Sequence, residues 1–376
     1  MFRLSSRSWS NRASISARTC SSADIAGLPQ VATAGESDLD DQFSLKEQAA
    51  LGRSTMRQTI LAVLGMLLAT VAAQAQEWPS RAVTIVVPFA AGATPDIVAR
   101  IVAERLQAKL GQSFIVENRP GASGNLGTNA VAQAAPDGYT IGVSIVGPLA
   151  LNTLLFARMP YDPARDLALI TVLASQPSVL VVSSQLGVTT VADLMALLRR
   201  YPGKYNYGSI GTGSLSHLAM EAIAAQSGTK PVHIPYRGSP AAVTALIRSD
   251  VQIGILPAGA VAPHAATGQF RMIAVSSAQR SQFLPDLPTL REAGISGVEA
   301  DAWIGLIAPR QTSDAIKAKL ERDIRAILTE PETREKLRLQ LMEAVGNSSE
   351  EFRGQVDAEL ARWTPIIRAN NIRIEQ

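Results

Sequence analysis

Two short loops concentrate the residues able to hold an anion. The first, Ala90-Ala91-Gly92-Ala93-Thr94-Pro95-Asp96, offers backbone N–H groups around Gly92–Thr94, the Thr94 hydroxyl and the Asp96 carboxylate. The second, Gly211-Thr212-Gly213-Ser214, offers further N–H groups, the hydroxyls of Ser214 and Ser216, and the His217 imidazole. N–H groups at the start of a helix have no intrahelical acceptor and lie at the positive end of its dipole. Two such starts facing each other across a cleft would make a site for a carboxylate or phosphate. Each residue also has a plainer use. Thr94 and Ser214 could simply be N-caps, Asp96 could complement a helix dipole, and His217 could be structural. Gly92, Gly211 and Gly213 could serve tight turns. Arg119 and Arg237 could bring a cation to the cleft, or pair with a local acid such as Glu117 or Asp96.

Other chemistries are poorly supplied. The second loop has no P-loop lysine, neither loop gives GxGxxG, and there is no HExxH or convincing GxSxG elbow. Three histidines and one cysteine, Cys20, cannot build a cysteine-rich metal centre. The near-balanced charge, +3 overall, gives no nucleic-acid footprint. Binding is expected rather than turnover, with no cofactor and no metal.

The elements that must carry these loops can be read from pattern. Val83–Phe89 is predicted as a buried strand, and a helix is predicted to run from Thr94, its N-cap, with Pro95 at the first helical position, to Leu110 before Gly111. A strand at Ser113–Glu117, a helix near Thr128–Ala135 and a strand at Tyr139–Ser144 follow. The order then returns: strand Tyr205–Ser209, helix Leu215–Gln226, strand Val232–Tyr236, a helix after Arg237-Gly238-Ser239-Pro240, and strand Val251–Ile255. Ser178–Val182 with helix Val191–Arg200 matches Trp303–Ala308 with helix Ser313–Leu328. Alternating strands and helices predict two α/β lobes with mostly parallel sheets flanked by helices, the ligand lying outside the carboxyl ends of the strands.

The start of the chain reads differently. Residues 1–55 are rich in Ser and Arg without sustained periodicity, and read as a disordered extension or a stretch upstream of the true start, an organelle transit peptide being the alternative. Met56-Arg57, the apolar run Ile60–Ala73 and Ala73-Gln74-Ala75 read as a signal peptide over 56–75. An exported protein beginning at Gln76 is expected, and it should be soluble.

Several blocks of the remaining sequence resemble the tripartite tricarboxylate transporter substrate-binding receptors, also called Bug receptors. They are WPSRAVTIVVPFAAGATPDIVAR (Trp78–Arg100), VENRPGASGNLGTNAVAQAAPDGYT (Val116–Thr140), MPYDPARDLALITVLAS (Met159–Ser175), PGKYNYGSIGTGSLSHLAME (Pro202–Glu221), VHIPYRGSPAAVTAL (Val232–Leu246), LPDLPTLREAG (Leu284–Gly294) and WIGLIAP (Trp303–Pro309). The resemblance spans residues 76–376. It implies a two-lobed periplasmic-binding-protein type II fold, with two crossover segments as hinge, that closes on its ligand like a flytrap. It also implies a small carboxylate ligand delivered to the large and small subunits of a membrane transporter. By the same resemblance the ligand is held by Phe89–Asp96, including Phe89, Ala91, Gly92, Thr94 and Asp96. Ile210–His217, including Gly211, Thr212, Gly213, Ser214 and His217, hold it from the other side, and Ser144–Asn152 also line the cleft.

Two departures bear on the ligand. The first loop lacks the family's second glycine and its Ser-Thr-Asp run, and Pro95 removes an N–H. Ile255-Leu256-Pro257-Ala258 stands where the family often has Asp-Asn, so no acid is available there for an amino group. With Ile145, Val146 and Leu149 nearby and Leu256 at the cleft, a mono- or dicarboxylate with an apolar or aromatic body is expected, rather than an amino acid. The expected lobes are 76–175 plus 298–376 and 176–297, hinged near Ala174–Ser178 and Gly297–Trp303, in a monomer. A periplasmic sensor feeding a signalling partner is the alternative to a transport receptor. An exported enzyme would have only Asp96 or His217 as general base.

Overall fold

A computed structural model describes residues 78–374, which lie within one compact unit. The expectations for residues 1–55 and for a signal peptide at 56–75 lie outside the described residues. The first sheet has the order β11-β4-β10-β3-β1-β2, with β1 Val83–Val87, β2 Phe114–Asn118, β3 Thr140–Ser144, β4 Leu167–Gln176, β10 Ala302–Pro309 and β11 Glu343–Ala344. The second has the order β7-β6-β8-β5-β9, with β5 Ser178–Ser183, β6 Asn206–Ser209, β7 Val232–Pro235, β8 Ile253–Pro257 and β9 Phe270–Val275.

Both sheets are mixed rather than mostly parallel. β1 runs parallel to β2 and β3, and β6 runs parallel to β7 and β8, each pair joined through a helix. The strands that carry the chain from one sheet to the other break the pattern. β10 is antiparallel to β3 and β4, and β5 is antiparallel to β8 and β9. A strand entering from the neighbouring sheet is not preceded by a crossover helix, so nothing imposes the parallel sense. Only Pro177 separates β4 from β5, and the chain returns to the first sheet between β9 and β10.

The central strand β1 is buried on both faces, which is why it reads as a continuous apolar run. Val83, Ile85 and Val87 pack with Val98, Val102 and Leu106 of the Thr94–Leu110 helix, while Val86 faces a second cluster with Val131. That helix ends at Gly111 in the left-handed conformation (φ 69°), as its glycine predicts. Its start falls one residue earlier than expected. Ala93, not Thr94, is the N-cap and makes no side-chain cap bond, while Thr94 is already helical. Asp96 takes over the capping work by accepting from the Gly92 N–H at 2.8 Å.

At the return crossing Trp303 and Phe352 are fully buried edge to face, ring centroids 5.4 Å apart. Phe352, from the Ser349–Ala369 helix, lies where a side chain on Gly305 would be. No helix among the described residues is long and apolar enough to cross a membrane.

Candidate functional site

A cavity of about 90 Å³ opens between the two sheets. Phe89, Ser123, Ile145, Val146, Gly147, Pro148 and Asn152 wall it from the first sheet's side. Ile210 to Ser216, together with Ser178, Ile255 and Pro257, wall it from the second, and Ala302 and Trp303 close its base. Most of these side chains are apolar, and no Asp, Glu, Lys, Arg or His lines it. Any charge on a ligand must therefore be met by hydroxyls and backbone dipoles.

The donors come from the start of the Leu215–Ser227 helix. Ser214 is its N-cap: the Ser214 Oγ accepts from the His217 N–H at 3.3 Å and donates to the Gly211 carbonyl at 2.6 Å. Within the loop, the Gly211 N–H goes to Ser209 Oγ, the Gly213 N–H to His217 Nδ1, and the Ser214 N–H to the Gly211 carbonyl. The N–H groups of Thr212, Leu215 and Ser216 make no hydrogen bond among the described residues. Ser216 is 4% exposed, and its hydroxyl also has no partner. A buried hydroxyl without a partner is costly, and here it lies on the cavity wall beside two free helix-terminal amides. That combination suits an acceptor oxygen of negative charge.

The opposite wall is held in place by its own network. Asn152 Nδ2 donates to Asn125 Oδ1 at 2.6 Å and to the Ser123 carbonyl at 3.3 Å, and Tyr161 donates to the Pro148 carbonyl at 2.8 Å. Ser178 Oγ is engaged with the Ala300 carbonyl at 2.8 Å.

The expected site residues divide into two groups. Phe89, Ile145, Val146, Gly211, Thr212, Gly213 and Ser214 come together on the cavity wall. The others are placed elsewhere. Gly92 and Thr94 line a separate cleft of about 310 Å³, opposite Ser239 and Pro240. Ala91 is exposed and lines neither space. Asp96 is 3% exposed and fully engaged by Gly92, Asn118 and Arg100. Burial alone would raise its pKa, but the hydrogen bonds from Arg100, Gly92 and Asn118 outweigh it and hold the carboxyl below its ordinary value. It is an internal brace of the first loop.

His217 lies behind the second loop rather than on the wall, 7% exposed, with Nδ1 taken by Gly213. Burial, with His233 alongside, lowers its pKa to about 3. Leu256 is 2% exposed and faces the core, because β8 covers Ile253–Pro257 rather than ending at Ile255. Side chains alternate along a strand, so Ile255 and Pro257 reach the cavity and Leu256 cannot. Arg119 pairs with Glu117 at 2.7 Å, and Arg237 is exposed without an ion pair among the described residues. Ser216, whose hydroxyl the sequence already offered, also lies on this wall, whereas sequence reasoning left Ser178, Ser123 and Trp303 out of the site. The period of two through Ile253, Ile255 and Pro257 would have exchanged Leu256 for its neighbours.

A two-lobed α/β binding protein, with an apolar interlobe cavity and helix-terminal donors, is the class that this architecture defines. A family model described as the tripartite tricarboxylate transporter family receptor matches residues 98–372, and the chain belongs to that family of solute-binding receptors. Protein BugT of Bordetella pertussis is 33% identical over 321 residues, 84% of this chain and 98% of BugT. A solved R. palustris structure with adipate is 38% identical, with a TM-score of 0.75, covering 78% of this chain and 98% of that one. The malate-bound MatC of Rhodopseudomonas palustris is 29% identical, with a TM-score of 0.72, covering 77% of this chain and all of MatC (100%). The chain has the periplasmic-binding-protein fold that these relatives share.

Proposed function

We propose that this protein is a periplasmic receptor, and not an enzyme, that captures a small carboxylate with an apolar body and hands it to the membrane subunits of a tripartite transporter. The observation that carries the reading is the free Leu215 and Ser216 N–H groups with the unpartnered Ser216 hydroxyl, set in an otherwise apolar and uncharged wall. One carboxylate would sit at this helix start. The carbon body would lie against Phe89, Ile145, Val146, Ile255 and Trp303. The adipate bound by the R. palustris relative has a carboxylate at each end of an unbranched hydrocarbon chain, so one end would take the helix start and the chain would take the apolar wall. No acid lines the cavity to meet an ammonium group, so aspartate and glutamate should be rejected. Residues 76–175 with 298–376 and residues 176–297 would act as the two lobes, closing about the crossings at 174–178 and 297–303.

Thermal unfolding of ligand-stripped protein with adipate and with adipamide tests this. A ligand at 100 times its dissociation constant adds about 2.7 kcal/mol, a shift of several degrees. A shift with the acid and none with the diamide is expected. Equal shifts, or a shift with aspartate alone, would overturn the reading.

A further inference from the structure

Behind the Gly211–Gly213 loop lie three stacked rings from three different elements. His217 of the Leu215–Ser227 helix and His233 of β7 have ring centroids 3.9 Å apart with planes inclined by 10°. Tyr207 of β6 completes the group, 4.9 Å from His233. The histidines hold both glycines of the loop. His217 Nδ1 accepts the Gly213 N–H at 3.1 Å. His233 Nε2 lies 2.6 Å from Ser209 Oγ, which itself accepts from the Gly211 N–H at 3.2 Å and donates to the Gly211 carbonyl at 3.1 Å. The loop thus has a defined back side, and what remains on its front is the set of free donors of the candidate site.

We propose that His217 and His233 are positioning residues for ligand capture: as an uncharged stacked pair they fix Gly211 and Gly213 so that the Thr212, Leu215 and Ser216 N–H groups face the cavity, and protonating the pair releases the loop. The proposal rests on the carboxylate-receptor reading above. Its chemistry follows from the acceptor role of Nδ1. An imidazolium would point an N–H at the Gly213 N–H, donor against donor, and two imidazoliums in face-to-face contact would repel. The titratable groups facing the pair are Glu221, on the His217 helix, and Tyr207. Tyr207 donates to Glu221 Oε1 at 2.5 Å, and the same oxygen is 3.9 Å from His217 Nε2. That carboxylate favours the charged imidazole, but burial prevails: His217 is lowered to about 3 and His233 to about 4. The pair is therefore neutral at neutral pH, and release belongs to strongly acidic conditions.

The test separates loop positioning from ligand identity. In ligand-free protein, nitrogen-15 NMR at about pH 7 should show His217 Nδ1 as an unprotonated acceptor and the Gly213 amide slow to exchange. His217→Leu should speed Gly213 exchange and weaken adipate binding about tenfold or more, the equivalent of one lost hydrogen bond. His217→Asn, whose Oδ1 can stand where Nδ1 stands, should restore both. Acidifying the wild type to about pH 2, below the lowered His217 value of about 3, should free the Gly213 amide as His217→Leu does. A His217→Leu protein with wild-type Gly213 exchange and wild-type adipate affinity would overturn the proposal, and so would an asparagine variant that restores neither. If the wild type binds no carboxylate, the proposed function fails, and Gly213 exchange alone then decides for or against the histidines.

Discussion

Gly213→Ala separates the two things this glycine does. Gly213 has φ +76°, and a Cβ there would stand 2.5 Å from Leu155 Cδ1 and 3.0 Å from Ile374 Cδ1. The left-handed backbone costs a non-glycine residue about 1–2 kcal/mol whether or not ligand is bound. The collision is different in kind. Leu155 is 2% exposed and has no room to withdraw, so overpacking there costs about 1–3 kcal/mol. Leu155 and Ile374 belong to segments beside the first sheet, whereas Gly213 belongs to the second, so the collision is felt when the lobes close. Stability of the ligand-free protein should fall by about 1–2 kcal/mol, a melting temperature lower by roughly 2–8 °C. Affinity for adipate should fall further, about 5- to 150-fold, at 1.4 kcal/mol per factor of ten. Calorimetric titration beside thermal unfolding reads both. A lowered melting temperature with unchanged affinity would refute the closure argument, because the loop would then not meet Leu155 in the bound form.

Other consequences can be checked separately. Between about pH 7 and 5, wild type should lose roughly 3 kcal/mol relative to a His217→Asn, His233→Asn variant in chemical denaturation. The sign follows from the depressed folded values, about 3 and about 4: this stability is complete above the unfolded value of roughly 6.5 and declines as pH falls toward the folded ones. Asp301, raised to about 7 by burial and by Glu359, works in the opposite direction but is common to both proteins and cancels in the difference. Gly305→Ala should destabilise by about 2–3 kcal/mol or more by driving a methyl into the Phe352 ring, read by thermal unfolding. Asp96→Asn should cost about 1–2 kcal/mol of stability at neutral pH by weakening the brace with Gly92 and Arg100, while adipate affinity stays within about twofold; a large affinity loss would return Asp96 to the site.

The parts of this molecule governed by local rules were legible in its residues. Gly111 and Gly228 end their helices in the left-handed conformation, and Ser214 caps the second-lobe helix, as their residue types and places indicate. What remained hidden depends on contacts from elsewhere. Thr94 looked like a cap because its hydroxyl precedes Pro95, yet Asp96 folding back on Gly92 moves the helix start to Ala93. Val251–Ile255 looked like a whole strand, which left Leu256 in the loop beyond it; β8 instead runs on to Pro257, and its pleat turns Leu256 to the core and Ile255 and Pro257 to the cavity. His217 was recognisable as belonging near the site. Its role behind the loop depends on His233, which arrives from β7 and cannot be anticipated from either residue's local surroundings. Trp303 is likewise a product of topology, carried to the cavity base by the returning strand.

The central claim is that one carboxylate sits at the start of the Leu215–Ser227 helix, and a crystal structure with adipate tests it most directly. A carboxylate accepting from the Leu215 and Ser216 N–H groups and the Ser216 hydroxyl, with its hydrocarbon chain against Phe89 and Trp303, is the predicted result. Adipate lodged instead in the separate cleft beside Gly92 and Thr94, or a cavity that remains empty at saturating adipate, would contradict it.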